Sequence, residues 1–147
     1  MKKRLYFLTV LLFVCAMAMA QTFVREGDSR YSTPLYNWDG QYLREGNSRY
    51  SRPILNFDGK YIREGDSRYS TPLYNWDGKY LRSKDSRYSN PLLNWDGKNI
   101  RQGDSHYSTP LYNFDGKYVR QGDSHYSSPL INIEGKLPTA ILMVLLF

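Results

Sequence analysis

Three ladders of side chains in this 147-residue chain have usable chemistry: repeated aspartates, repeated large aromatic residues and two histidines. Asp28, Asp66, Asp85, Asp104 and Asp123 recur at multiples of 19 residues, and carboxylates so ordered raise metal binding or acid/base catalysis. Asn47 stands at the same place in one copy, which a hydrogen-bonding role permits and a charged role does not. These aspartates are therefore read as loop residues that bond backbone N–H groups or the repeated arginines. Asn-x-Asp-Gly resembles a fragment of a calcium loop without its bidentate Glu. His106 and His125 replace Arg30, Arg49, Arg68 and Arg87 of earlier copies. Equivalent positions two strands apart are separated by about 10 Å, too far for two ligands about 2 Å from one zinc. They read as surface substitutions. No catalytic constellation emerges, so the expectation is a non-enzyme without metal or cofactor.

The aromatic ladder is Trp38, Phe57, Trp76, Trp95 and Phe114, continued by Ile133. At a hairpin tip these rings point to water, where regularly spaced aromatics stack sugars or choline-like cations. The five aromatics are the candidate ligand-binding residues. The competing reading lays each ring on the next hairpin as packing, and Ile133, which cannot stack a sugar, fits it. Two functions follow: a non-catalytic structural or interaction protein of the cell envelope, or a glycan- or cell-wall-binding module.

What must position these residues is a 19-residue unit, best seen as REGDSRYSTPLYNWDGKYL at 63–81. Its arginine recurs at Arg25, Arg44, Arg63, Arg82, Arg101 and Arg120 without insertion or deletion, the signature of one supersecondary unit stacked on itself. Asn37-Trp38-Asp39-Gly40 suits a type I turn closed by glycine at positive φ. Turns are thus expected at 37–40, 56–59, 75–78, 94–97 and 113–116. That register opposes Leu35 to Leu43 and Tyr36 to Tyr42, and makes Leu35, Ile54, Leu73, Leu92 and Leu111 the core face. The return loop G-D-S-R-Y-S-T-P carries a tyrosine in every copy, at Tyr31, Tyr50, Tyr69, Tyr88, Tyr107 and Tyr126, expected to pack over the neighbouring hairpin.

The ends differ from the repeats. Lys2, Lys3 and Arg4, an apolar run from Leu5 to Val14, and Ala18-Met19-Ala20 describe a cleaved signal peptide over 1–20. The chain is accordingly expected to be exported to the periplasm, cell surface or medium, with lipidation at Cys15 the minor alternative. Removing that segment takes away the only cysteine and three of the 20 basic residues, leaving a net charge near +3. The interleaved charges argue against a nucleic-acid partner, and the mature chain has no segment long enough to span a bilayer. A glycan or another envelope protein remains as partner. The repeat domain occupies 21–138, and the apolar tail 139–147 is expected to fill its middle. Residues 22–27 match a second strand without a first, and 129–136 a first strand and turn without a second. Terminal halves that complete one another close a ring and remove its edges. The expected fold is all-β: hairpin repeats closed into a flower- or propeller-like ring, with an open solenoid as the alternative.

Asp58-Gly59-Lys60-Tyr61-Ile62 and its copies, following a signal peptide, resemble the β-flower family of small exported bacterial proteins, including its four- and five-fold forms. The resemblance covers the whole mature chain and implies a rotationally arranged β fold with no established activity. Five whole hairpins and two halves leave five or six petals open.

Overall fold

A computed structural model describes residues 20–147; the expected signal peptide lies, but for Ala20, outside the described residues. Twelve antiparallel strands form a closed barrel in chain order. Five petals are continuous hairpins: β2 (Tyr36–Trp38) with β3 (Tyr42–Glu45), β4 (Leu55–Phe57) with β5 (Tyr61–Glu64), β6 (Tyr74–Trp76) with β7 (Tyr80–Ser83), β8 (Leu93–Trp95) with β9 (Asn99–Gln102), and β10 (Tyr112–Phe114) with β11 (Tyr118–Gln121). The sixth petal joins the two ends of the chain, β12 (Ile131–Glu134) pairing with β1 (Thr22–Glu26). The ring is closed and six-petalled, which resolves the five-or-six ambiguity, and no strand is left at an edge.

The hairpin register departs from the sequence expectation. Trp38 opposes Leu43, and Asn37 opposes Arg44. The same offset recurs in later petals, as in Trp76 with Leu81. The turn therefore spans Asp39 to Tyr42, two residues later than expected, and so do its copies. The cause is the aspartate: Asp39 Oδ1 accepts from Gln41 N at 2.9 Å and Tyr42 N at 2.8 Å, so the side chain caps the turn and Asn37 stays in the strand. Gly40 at φ 104° makes the bend, a conformation that costs glycine little.

Shifting one strand by three positions, an odd number, exchanges the faces of the first strand. The barrel core takes Val24, Leu43, Ile62, Leu81, Ile100 and Val119 from the second strands, as expected, but Trp38 and Leu93 from the first. Leu35, Leu73 and Leu111, placed in the core by sequence, are 42%, 38% and 38% exposed; Ile54 and Leu92 are half-buried. The apolar tail forms helix α1 (Thr139–Leu146). Ala140, Ile141, Leu142 and Met143 are all fully buried, and successive helical residues point about 100° apart. The first half of the helix is therefore surrounded on every side, which only the ring can do, while Val144, Leu145 and Leu146 are half-buried. Phe147 meets Tyr74 edge-on, with centroids 6.3 Å apart.

The outer face of each petal is roofed by the return loop that follows it. Asn37 Nδ2 donates to Gly46 O at 2.9 Å and Ser48 O at 3.2 Å, and Arg44 Nε donates to Ser51 O at 2.9 Å. These bonds repeat around the ring, for example from Asn94 and Arg101. One asparagine and one arginine per petal thus convert a flexible loop into part of the wall.

Candidate functional site

Two aromatic rings per unit are the chemically distinctive groups, and the fold treats them oppositely. Strand alternation turns Trp38, Phe57, Trp76, Trp95 and Phe114 inward, which corrects their expected place on outward-pointing tips. Trp38 is only 4% exposed and the other four are half-buried against the core. The loop tyrosines were expected to pack and do not. Tyr31, Tyr50, Tyr69, Tyr88, Tyr107 and Tyr126 are 90–100% exposed.

The backbone beneath those tyrosines is fixed. In every copy the tyrosine N–H donates to the serine Oγ two residues earlier, at 3.2–3.3 Å. The following serine hydroxyl returns a bond to that first serine's carbonyl, as Ser70 Oγ does to Ser67 O at 3.1 Å. A serine turn, roofed onto the petal by asparagine and arginine, therefore holds out a bare phenol. Sequence reasoning missed this crown although its signal was present: six copies keep Tyr, whereas the packed ladder drifts through Trp, Phe and Ile.

The repeated arginines bind the turn aspartates. Arg44, Arg63, Arg82 and Arg120 reach Asp39, Asp58, Asp77 and Asp115 through Nη1 at 2.6–2.8 Å, and Arg101 pairs with Asp96 in the same way. In the sixth petal Arg25 meets Glu134 at 2.6 Å. There Thr22 Oγ1 donates to Lys136 O and accepts from Lys136 N, each at 3.0 Å, bridging the gap where other petals have a continuous turn. Partial burial on its own would raise the aspartate pKa values. Bonds from arginine and from two backbone N–H groups outweigh it and lower all five, Asp96 to about 2. The loop residues Asp28, Asp66, Asp85, Asp104 and Asp123 are exposed and accept no hydrogen bond from the described residues, contrary to the expectation that they bond backbone N–H groups or the repeated arginines. His106 and His125 are exposed. Among the described residues no group of three His, Cys, Asp or Glu could hold a metal ion, and no helix is long and apolar enough to cross a membrane.

Between petals the inward rings show an edge to solvent. One cleft of about 400 Å³ is lined by Trp95, Gly97, Lys98, Phe114, Asp115, Gly116 and His125. Its counterpart one petal on, about 360 Å³, has Gly116, Lys117, Ile133, Glu134, Gly135 and Arg30. A third, about 380 Å³, lies where the sixth petal meets the first, beside Trp38 and Lys136. These are one cleft repeated by the ring.

Comparison with protein families gives one match: the family model described as 6-fold beta flower protein covers residues 24–142. Nothing matches among curated proteins or among solved structures.

Proposed function

Because the chain belongs to the 6-fold beta flower protein family, we propose that it is a non-catalytic interaction module of the cell envelope, exported there, that binds through the tyrosine crown. The observation behind this reading is the 90–100% exposure of six tyrosines on loops whose backbone is pinned. Burial stabilises aromatic side chains, so six left bare contribute nothing comparable to the fold. Fixed loops reduce the ordering cost of binding, and six equivalent contacts suit a repetitive surface, where avidity multiplies weak individual affinities. The test is co-sedimentation with purified bacterial cell-wall sacculi. The parent should pellet with them, and a variant with all six tyrosines changed to serine should stay soluble at an unchanged melting temperature. Equal pelleting of both proteins, or of neither, rejects the crown.

A second reading is favoured by the clefts. Trp95 and Phe114, with centroids 6.3 Å apart and planes inclined at 45°, form the walls of a groove. Here Phe57, Trp76, Trp95 and Phe114, which are only half-buried, bind glycan through ring edges and faces that remain open between petals, while Trp38 at 4% exposure serves the core. This reading needs no ring at a hairpin tip.

A further inference from the structure

Charge separates the cleft between the fourth and fifth petals from an ordinary aromatic groove. Its one carboxylate, Asp115, is already held by Arg120 at 2.8 Å. Its cation is not neutralised in the same way: Lys98 makes no ion pair among the described residues. Lys60, Lys79 and Lys117 sit over the tyrosines that follow them, Nζ lying 4.7–4.9 Å from the ring centroids. In the fourth petal that tyrosine is Asn99, and Lys98 has no such seat. Asn99 Oδ1 is buried without a partner among the described residues, and so is Oδ1 of Asn113, the residue opposite it across the junction of these two petals.

The lysine's place beside the next petal's ring is set by the backbone. Trp76 N donates to Lys60 O, Trp95 N to Lys79 O, Phe114 N to Lys98 O and Ile133 N to Lys117 O, at 2.7–2.8 Å. Only at the first junction does the chain put a neutral residue there, where Phe57 N donates to Gln41 O at 3.0 Å. Four successive junctions therefore place a lysine beside the next petal's inward side chain, and of the clefts between petals the one at Trp95 and Phe114 has two rings, a paired carboxylate and an unseated cation.

We propose that these clefts, above all the one between Trp95 and Phe114, hold a sugar ring that carries a carboxylate. The aromatic walls cover the ring's C–H face, and the lysine, exposed at the rim of the cleft, pairs with the acid group in a contact that water holds to modest strength. The volume of about 400 Å³ lies within the range of small-molecule sites, roughly 300–1,000 Å³. The inference rests on the glycan reading of the clefts and adds the acidic class of sugar.

The experiment titrates the protein with D-glucuronate and with D-glucose, read by saturation-transfer NMR and tryptophan fluorescence. Glucuronate should bind about threefold more tightly than glucose, as expected for one exposed ion pair. Changing Lys60, Lys79, Lys98, Lys117 and the Lys136 of the cleft beside Trp38 to Gln, the residue already tolerated at Gln41, should erase that preference without shifting the melting temperature. Equal affinity for both sugars, or a preference that survives in the variant, overturns acid recognition and leaves glycan binding standing. Failure of both sugars to perturb the protein overturns the two together.

Discussion

The inner and outer aromatic rings come from the same 19 residues and have opposite fates. Trp38 is 4% exposed, while Tyr50, twelve residues later, is 91% exposed. The difference lies in what holds each backbone. Trp38 is on a paired strand whose alternation points it at the core. Tyr50 is on a serine turn whose hydrogen bonds are complete before its ring is placed. A ring in the first setting is constrained by volume, so Trp, Phe and Ile all serve there. In the second setting the rings stay 90–100% exposed, and yet the tyrosine is the same in all six copies. Variation follows packing inside; identity outside calls for a cause beyond the fold.

This contrast can be broken in several ways. The most severe is to remove what the inner ring packs on. Ending the chain at Pro138 takes away four fully buried side chains of α1, and the protein should lose cooperative unfolding and aggregate. Near-parental calorimetry would show that the inner ring stands without the helix. Next in size, Trp38→Ala should cost about 3–5 kcal/mol, whereas Tyr50→Ala should stay within about 0.5 kcal/mol. Comparable losses in urea titrations would dissolve the distinction between the rings.

The register supplies a finer test. Leu81→Ala, at a fully buried site, should cost about 2–5 kcal/mol. Leu73→Ala, 38% exposed, should cost under about 1 kcal/mol by its smaller burial. The reverse order would restore the face assignment read from the sequence.

Acid should weaken the ring through its turns. The five turn aspartates have folded pKa values below their ordinary value of 3.8, Asp96 at about 2. A depressed folded pKa contributes stability that is fully present above the unfolded value and is lost as pH falls through the folded one. Melting temperature should therefore drop from about pH 4 towards pH 2, and less steeply when Asp39, Asp58, Asp77, Asp96 and Asp115 are changed to Asn. The smallest effect belongs to Lys84, the only non-glycine with positive φ among the described residues, at 58°, where five other copies have glycine. Lys84→Gly should add about 1 kcal/mol by relieving that conformation, seen as a small rise in the denaturation midpoint.

Several of these contrasts could be read from residues alone. The step between Arg25 and Arg120 gives the unit, and the half-unit at 22–27 with its complement at 129–136 gives the closure, which the structure realises as Phe23, Val24 and Arg25 opposite Glu134, Ile133 and Asn132. The aliphatic series through Leu43 and Ile62 gives one strand's inward face. The paired series was misassigned because Leu35 and Tyr36 are both suitable for burial, so hydropathy did not discriminate between registers. Local turn preference favoured Asn37 as the first turn residue, and the bonds from Asn37 to Gly46 and Ser48 outweighed it. Those bonds exist only once the loop has folded back. The arginine's partner was misread for the same reason: a loop aspartate is nearer in the motif, but the turn aspartate is nearer in space.

The sequence by itself determined a repeating β-hairpin flanked by two half-units, because strict periodicity admits few other arrangements. That those halves close into a sixth petal beside the five whole hairpins is what the structure added. It also determined that the apolar tail needs cover, since water disfavours such a surface. Only the tertiary structure decided which aromatic faces inward, because a single odd shift in register reverses a strand and is set by side-chain bonds across the wall. Only the tertiary structure, too, made the tail a helix. Inside the ring it has no strand edge to pair with, and a helix is the form that satisfies its own backbone there.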